Sequence, residues 1–410
     1  MRETLSTHVQ AGIDNAIAAT PVAATRCADY EMESVQAALR EVLAPLGGMA
    51  AFVKPGERIA LKPNLLLPVA PERAVATHPA VVAAVALAVM DAGGTPVVVE
   101  SPGTGVVHVK RVIEQAFRRV GYRDMAERYG FELSVDTDWE AVSHPEARLV
   151  KRLEVISPIL RADGVINLAK FKTHAFMTFT GATKNLFGVV PGLNKAAYHA
   201  RLPDPLRFAD MLLDIAYFIR PRLNLVDGIL AMEGEGPGTG GTPRALGVLV
   251  AGADPVMVDV ACCRIAGIDP AAVPVLVAAR ERGLWSGRPA DVETLGVPVA
   301  RLEVKDFVMP RTYQGIGVGR PGFFDKPLRR LLRGLNRMPR PKVGRCTVCG
   351  ACERACPVGA ISMDKEAHVA KVDDSLCIRC YCCHEICPSA AIDLEFTGLG
   401  RVMNRLGLLK

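Results

Sequence analysis

Hydrophobic positions follow two different periods between residues 20 and 315 of this chain. Short, nearly continuous apolar runs predict buried strands, and apolar residues spaced three or four apart predict amphipathic helices. The predicted strands are residues 22–25, 58–62, 96–100, 150–156, 164–168, 223–227 and 245–251, and the predicted helices are residues 32–43, 80–91, 109–120, 205–220, 256–266 and 271–282. Because strands alternate with helices, we expect an α/β fold with a mixed or mostly parallel sheet and flanking helices.

Polar, glycine-rich segments follow several of the predicted strands. They read K-P-N at residues 62–64, E-S-P-G at 100–103, A-K-F-K-T-H at 169–174, G-A-T-K-N at 181–185 and M-E-G-E-G-P at 232–237. Ligands of open α/β sheets bind at the carboxyl ends of the strands, so these segments predict the position of a site. Lysine ammonium groups bind carboxylate or phosphate as point charges, and we therefore expect a small anionic ligand.

The candidate residues in these segments have two kinds of role. Lys184 and His174 are the catalytic candidates, because Lys184 lies between two glycine turns and histidine transfers protons near neutral pH. The candidate binding residues are Lys62, Asn64, His78, Glu100, Ser101, Lys170, Lys172, Asn185, Glu233 and Glu235. Other interpretations stay open, since the lysines could be solvated and His78 could cap a helix. The two glutamates could bind a metal or act as a base, and the glycines around them equally suit a tight turn.

Eight of the twelve cysteines form two copies of one motif. Each copy reads C-x2-C-x2-C-x3-C-P, and the copies begin at Cys346 and Cys377. This spacing is typical of two [4Fe–4S] clusters, in which the fourth cysteine of each copy binds the cluster of the other copy. The predicted ligands are Cys346, Cys349, Cys352 and Cys387 for cluster 1, and Cys377, Cys380, Cys383 and Cys356 for cluster 2. Structural zinc sites are the alternative, but they need neither the third cysteine nor the Cys-Pro ending.

Two parts of the chain resemble known families. Residues 343–396 resemble the bacterial-type two-cluster ferredoxin domain, which implies a small ferredoxin-like α+β iron–sulfur domain. Residues 20–285 resemble the domain of unknown function 362 family, through the segments quoted above and D-P-V-M-V-D at residues 254–259. A more distant similarity is to nickel-pincer-dependent lactate racemases, which also place a histidine before a lysine in a glycine-rich loop. His174 and Lys184 fit that outline, but we do not expect the nickel cofactor here.

Charge divides the C-terminal third of the chain. Residues 320–345 contain nine lysines or arginines and one acid, whereas residues 346–395 contain eight acids and four bases. We expect the basic segment to dock on the acidic module; contact with a membrane surface is a less favoured alternative, and nucleic acid is not expected. The predicted domains are an α/β domain (1–318), a basic amphipathic linker (319–342), the ferredoxin-like domain (343–396) and a basic tail (397–410).

These features together favour a redox function. The longest apolar run is too short to cross a bilayer, and the cysteines are spaced for metal ligation, so we expect a soluble cytoplasmic protein. The leading hypothesis is a ferredoxin-linked oxidoreductase that passes single electrons through its clusters to a small anionic substrate or cofactor, with a ferredoxin- or flavodoxin-type protein as electron donor or acceptor. The alternatives are an electron-transfer or cofactor-delivery protein without catalysis, and a non-redox, isomerase-like enzyme with structural or regulatory clusters. A further, unidentified cofactor in the α/β domain stays open.

Overall fold

The computed structural model describes residues 20–103, 107–192, 194–312 and 337–406 of the 410-residue chain. The predicted basic linker lies outside the described residues up to residue 336, and residues 407–410 of the predicted tail also lie outside them.

One large sheet forms the centre of the α/β domain. Its described strands lie in the order β11-β1-β10-β9-β7-β2-β3-β4, with β8 paired to β7. Five neighbouring pairs are parallel and three are antiparallel, so the prediction of a mixed, mostly parallel sheet is confirmed. Numbered in chain order, the strands of the α/β domain are β1 (Val22–Arg26), β2 (Arg58–Pro63), β3 (Thr95–Val98), β4 (Glu132–Leu133), β5 (Trp139–Ser143), β6 (Arg152–Ile156), β7 (Gly164–His174), β8 (Thr178–Thr180), β9 (Leu223–Gly234), β10 (Gly241–Gly252) and β11 (Thr294–Gly296).

Helices cover both faces of this sheet. They are α1 (Met32–Leu43), α2 (Pro79–Asp91), α3 (Lys110–Val120), α4 (Tyr122–Tyr129), α5 (Ser157–Leu160), α6 (Ala182–Asn185), α7 (Asn194–Arg201), α8 (Pro205–Ile219), α9 (Pro255–Ile265) and α10 (Pro274–Glu281). Side chains alternate between the faces along each strand, so Val97 of β3 packs with Phe208 of α8 in one core while Val98 packs with Val85 of α2 in the other.

Two central strands are longer than the sequence predicts. β7 continues to His174 and β9 to Gly234, so Lys170, Lys172 and His174 lie within a strand and not in the loop after it. The shorter prediction was wrong because lysine and histidine rarely occupy a buried strand without a partner. Here the surrounding domain supplies partners for both lysines, and the two side chains are no more than 1% exposed.

The C-terminal module is a small α+β unit. Its strands pair as β12 with β15 and β13 with β14, both antiparallel, and two short helices carry cysteines of the two motifs. The elements are β12 (Met338–Pro341), α11 (Ala351–Ala355), β13 (Ile361–Asp364), β14 (Val369–Val372), α12 (Cys382–Ile386), β15 (Ile392–Glu395) and the tail helix α13 (Gly398–Arg405). None of the helices in the described parts of the chain has the length and apolar character needed to cross a membrane.

Candidate functional site

The cysteines of the C-terminal module surround two small cavities. One, of about 300 Å³, is lined by Cys346, Cys349, Cys352 and Cys387. The other, of about 290 Å³, is lined by Cys356, Cys377, Cys380 and Cys383. These are the two crosswise sets that the motif spacing predicts.

The surroundings of these cavities fit iron–sulfur clusters. The backbone N–H of Ala360 donates to Cys356 Sγ and that of Ala391 to Cys387 Sγ, both at 3.2 Å. Backbone N–H groups directed at the sulfurs stabilise the negative charge of a thiolate-bound cluster. Cavity size, four thiols per cavity and these donors together match the requirements of a [4Fe–4S] cubane.

Helix α12 of the iron–sulfur module docks directly on the α/β domain. It packs on the glycine-rich turn between β9 and β10, where Thr239 Oγ1 donates to the carbonyl of Cys387 at 2.5 Å. A side chain at Gly238 would collide with the backbone carbonyl of Glu385. Gly238 in this turn therefore permits a close approach between the two domains.

A cavity lies where the two domains meet. It has about 510 Å³ of empty space, including its open mouth. Seven of the predicted site residues line it, namely Lys62, Asn64, Glu100, Ser101, Lys172, Lys184 and Asn185. The sequence did not single out four further polar residues of its wall, Thr180, Lys195, His199 and Glu385. Glu385 comes from α12 and is 3% exposed, so the iron–sulfur module supplies part of the wall.

A buried ion pair forms one side of this cavity. Lys62 Nζ lies 2.7 Å from Glu100 Oε2, and both side chains are at most 2% exposed. Burial lowers the pKa of Lys62 and raises the pKa of Glu100, while the attraction between them opposes both shifts. Gly188 leaves room for the pair, because a side chain there would collide with both charged groups.

A chain of four asparagines supports Lys172. The Lys172 ammonium donates to Asn64 Oδ1 at 2.8 Å, and Asn64 Nδ2 donates to Asn185 Oδ1 at 3.0 Å. Asn185 Nδ2 then donates to Asn167 Oδ1, and Asn167 Nδ2 to Asn224 Oδ1, each at 2.8 Å. All amides thus point the same way, which aligns their dipoles and fixes Lys172 as the donor at the head of the chain.

Lys184 and Lys195 bring two more ammonium groups to the cavity. Lys195 Nζ donates to Ser101 O, Ser101 Oγ and Pro102 O at 2.8–2.9 Å, which uses all three of its N–H bonds. Burial lowers the pKa of Lys195 from 10.5 to about 7. Lys184 lies on α6 and is only partly exposed, and the structure shows no hydrogen bond for its ammonium among the described residues. Its pKa is also lowered by burial, against the attraction of Glu385.

The backbone around Lys184 is held in place by Asp259. Its carboxylate accepts from the N–H groups of Ala182 at 2.6 Å and Thr183 at 3.1 Å, at the start of α6. In the structure it orients the helix that carries Lys184.

Burial favours the neutral form of the two buried histidines near the cavity. His174 Nδ1 accepts from the N–H groups of Phe176 and Met177, so its proton is on Nε2, which lies 3.4 Å from Glu385 Oε1. Burial lowers the pKa of His174 well below 6.5. His199 stacks on Phe208 with ring centroids 4.4 Å apart, and burial lowers its pKa to about 3.

Four other candidates lie outside this cavity. Lys170 donates to Asp227 Oδ2 at 2.6 Å and to Tyr30 at 2.9 Å. His78 caps α2 by accepting from Ala80 N and stacks on Tyr30. The Glu233 and Glu235 carboxylates accept backbone N–H bonds from Val308 and Arg311, respectively. These contacts are sufficient to explain the four side chains as parts of the fold.

The missed residues carry weak sequence signals. Glu385 lies between the cluster cysteines Cys383 and Cys387 and looks like part of the ferredoxin motif. Lys195 and His199 follow the Pro191-Gly192 turn on a helix, where lysine and histidine usually face solvent. Their common position at one cavity depends on contacts between segments far apart in the chain.

Comparisons with known proteins agree with this architecture. The model of the family described as "Domain of unknown function (DUF362)" matches residues 59–264, and the model of the 4Fe-4S dicluster domain matches residues 345–391. The thylakoid-associated protein sll1697 of Synechocystis sp. is 38% identical over 310 residues, which cover 73% of this chain and 91% of that protein.

A solved structure shows a much weaker likeness. The lactate racemase apoprotein from Thermoanaerobacterium thermosaccharolyticum aligns with a TM-score of 0.33 and 12% identity over 53% of this chain and 52% of that chain. The family assignment therefore depends on the sequence matches and on the cysteine geometry described above. The chain belongs to the domain of unknown function 362 family and carries a C-terminal domain for two [4Fe–4S] clusters.

Proposed function

We propose that this protein is a ferredoxin-linked oxidoreductase that reduces a small anionic molecule in the cavity between its two domains. The observation that carries the proposal is the position of Glu385. This residue forms part of the cavity wall and lies two positions from Cys383 and two positions from Cys387, which belong to different cysteine sets. A molecule in the cavity would thus contact the short helix that carries Cys383 and ends next to Cys387.

In this proposal, the iron–sulfur module supplies the electrons. When bound, the two clusters transfer single electrons. Reduction of a substrate by two electrons then needs two protons from water and two electrons from a soluble one-electron carrier of ferredoxin or flavodoxin type. Fusion of the two domains, and the docking of α12 on the glycine-rich turn, keep the electron source beside the cavity without a diffusional encounter.

The α/β domain would bind the anionic molecule and supply the positive charge. Lys184 has free N–H donors for an anionic group and would stabilise negative charge that develops during reduction. Asp259 orients the helix that carries Lys184, and the asparagine chain fixes Lys172. His174 Nε2 lies 3.4 Å from Glu385 Oε1, so this imidazole also faces the carboxylate that the iron–sulfur module contributes to the cavity.

The location of the protein belongs to the proposal as well. None of the described cysteines forms a disulfide, which suits a reducing compartment, and we place the protein in the cytoplasm. The Synechocystis relative is named a thylakoid-associated protein, which raises attachment to a membrane surface as the alternative. Cell fractionation at low and high salt distinguishes the two, because a surface-bound protein would pellet with membranes at low salt and be released at high salt.

Anaerobic reoxidation of the reduced protein tests the function. The full chain is reconstituted with iron and sulfide, reduced, freed of excess reductant and mixed with the small-molecule fraction of a cell extract. We expect the visible absorbance of the oxidised clusters to return at a rate that Lys184→Ala lowers by at least about tenfold, because the anion then binds without its main cation. Lys110→Ala, a change at an exposed lysine of α3, is the matched control.

The alternatives give different results in the same assay. A carrier without catalysis would be reoxidised by a protein fraction only, and Lys184→Ala would not change that rate. A non-redox enzyme would convert its substrate with no electron donor present. Either outcome contradicts the proposal, provided that iron and sulfide contents of the variants equal those of the unmodified protein.

A further inference from the structure

The cavity holds more ammonium groups than carboxylates to balance them. Lys62 is paired with Glu100 at 2.7 Å. Lys172, Lys184 and Lys195 have no carboxylate in salt-bridge contact among the described residues, and the bonds of Lys172 and Lys195 go to neutral oxygens. Glu385 is the remaining carboxylate of the wall. Burial lowers the pKa of all three lysines, so their charged forms depend on a compensating anion. When all three are protonated, three ammonium groups against one carboxylate leave a surplus of two positive charges.

A surplus of this kind is costly in a buried site. Lys172 is 1% exposed and Lys195 is 3% exposed, so water compensates their charge poorly. An anion with one charge would leave the site positive, whereas an anion with two charges would balance it. The electrostatic gain from the second charge is large because the walls of the cavity have a low dielectric constant.

The unused hydrogen-bonding groups indicate where such an anion would bind. Among the described residues, Lys184 has three N–H bonds without a partner and Lys172 has one, while Lys195 has none left and contributes charge alone. Thr180 Oγ1 is buried without a partner among the described residues. The direct contacts would therefore come from Lys184, Lys172 and Thr180, all of which line the same cavity as Glu385.

We infer that the cavity selects a small dianion, that is, a short dicarboxylate or a phosphate-like oxyanion, over a monoanion of the same shape. The inference depends on the proposed function, since it names the substrate class of that same cavity. It can fail separately, because anion binding is measurable in the oxidised protein with no electron donor present.

Calorimetric titration with matched anions tests the inference. Sulfate and perchlorate are tetrahedra of similar size that differ by one charge, and malonate and malonamate are a second pair with the same difference. The full chain with reconstituted, oxidised clusters is titrated at pH 6.5, where Lys195 is mostly protonated. We expect the dianion of at least one pair to bind at least about tenfold more tightly than its partner. A preference for sulfate over perchlorate would indicate a tetrahedral oxyanion as the ligand, and a preference for malonate over malonamate would indicate a dicarboxylate.

Two variants assign the preference to this cavity. Lys184→Met should lower dianion affinity at least about tenfold, and Lys110→Met, at an exposed position, should leave it unchanged. The visible spectrum of the clusters verifies that each variant is folded. Equal affinities within both pairs, or dianion binding that Lys184→Met leaves intact, would overturn the inference.

Discussion

The lysines near the centre of the α/β domain differ in whether a neighbouring carboxylate balances their charge. Lys62 and Lys170 each contact a buried carboxylate, at 2.7 and 2.6 Å, so their charges are balanced within the fold. Lys172, Lys184 and Lys195 contact neutral oxygens or no described partner at all, and their charges are available to a ligand. Residue type alone does not distinguish these groups; the partner of each ammonium does.

Removing one partner of the Lys62–Glu100 pair should lower the stability of the fold strongly, whereas replacing both partners should lower it little. Lys62→Met leaves Glu100 buried without its cation, and we expect the free energy of unfolding to fall by about 3–5 kcal/mol. Adding Glu100→Leu removes the uncompensated charge and should restore most of that loss. Urea denaturation of the single and double variants measures both steps, and a double variant no more stable than Lys62→Met would contradict the pairing.

Anion binding should weaken as the pH rises through about 7. The pKa of Lys195 is lowered to about 7 by burial, so its ammonium is present below that pH and lost above it. The charged or titratable groups facing it are Glu100, Lys62 and His108. A bound anion raises the Lys195 pKa, so affinity should be constant below pH 7 and fall by up to about tenfold per pH unit above it.

Sulfate is the suitable probe for this pH series, because it remains a dianion from pH 6 to pH 9. Titration calorimetry at each pH gives the affinity directly. An affinity that stays level across this range would show that Lys195 does not contribute its charge to the site.

At the scale of elements, the asparagine chain connects the strands β7 and β9, the residue after β2 and the helix α6 to the cavity. Asn167 of β7 lies in its middle and also donates to the carbonyl of Ala182 at the start of α6. Asn167→Leu removes both bonds and leaves Asn185 and Asn224 with unpaired groups. We expect a loss of about 1–3 kcal/mol in the free energy of unfolding, together with weaker sulfate binding.

Asn404→Leu is the matched control, since Asn404 is exposed on α13. Denaturant titration and calorimetry of the two variants separate a general effect of leucine from loss of the chain. If Asn167→Leu behaved like Asn404→Leu, the chain would have no role in holding Lys172 and α6.

The glycine-rich turn between β9 and β10 should be intolerant of a single methyl group. Gly238→Ala places a side chain against the backbone carbonyl of Glu385, which must move α12 away from the α/β domain. We expect the variant to keep its iron and sulfide but to expose the junction between domains to limited proteolysis. Gly344→Ala is the control, because its side chain would meet open space. Equal resistance of the two variants to protease would contradict the docking.

Local spacing explains which elements the sequence predicts well. The cysteine sets follow from short intervals in the chain, and α1 has the predicted bounds because its apolar residues repeat at helical spacing. The ends of β7 and β9 were missed because buried lysines and glutamates imitate a loop when their partners lie elsewhere in the sequence. Glu385 was missed for the same reason, since its position in the cavity depends on how two domains dock.

At the scale of the whole molecule, the cavity is a composite of both domains. The α/β domain contributes the ammonium groups, and the iron–sulfur module closes the wall with Glu385. Neither half has the complete site by itself, so the fusion joins an anion-binding site to an electron source. The central claim is that charge in the cavity and charge on the clusters influence each other.

Redox titration followed by electron paramagnetic resonance tests that claim most directly. Lys184 belongs to the α/β domain, yet it lies close enough to Glu385 and Cys382 of α12 for their charges to influence its pKa. Lys184→Met removes a positive charge beside the module, and we predict that the midpoint potential of at least one cluster becomes more negative, since net charge near a cluster sets its potential. Lys110→Met should leave both potentials unchanged. Identical potentials in Lys184→Met and the unmodified protein would contradict the claim that the cavity and the clusters form one redox site.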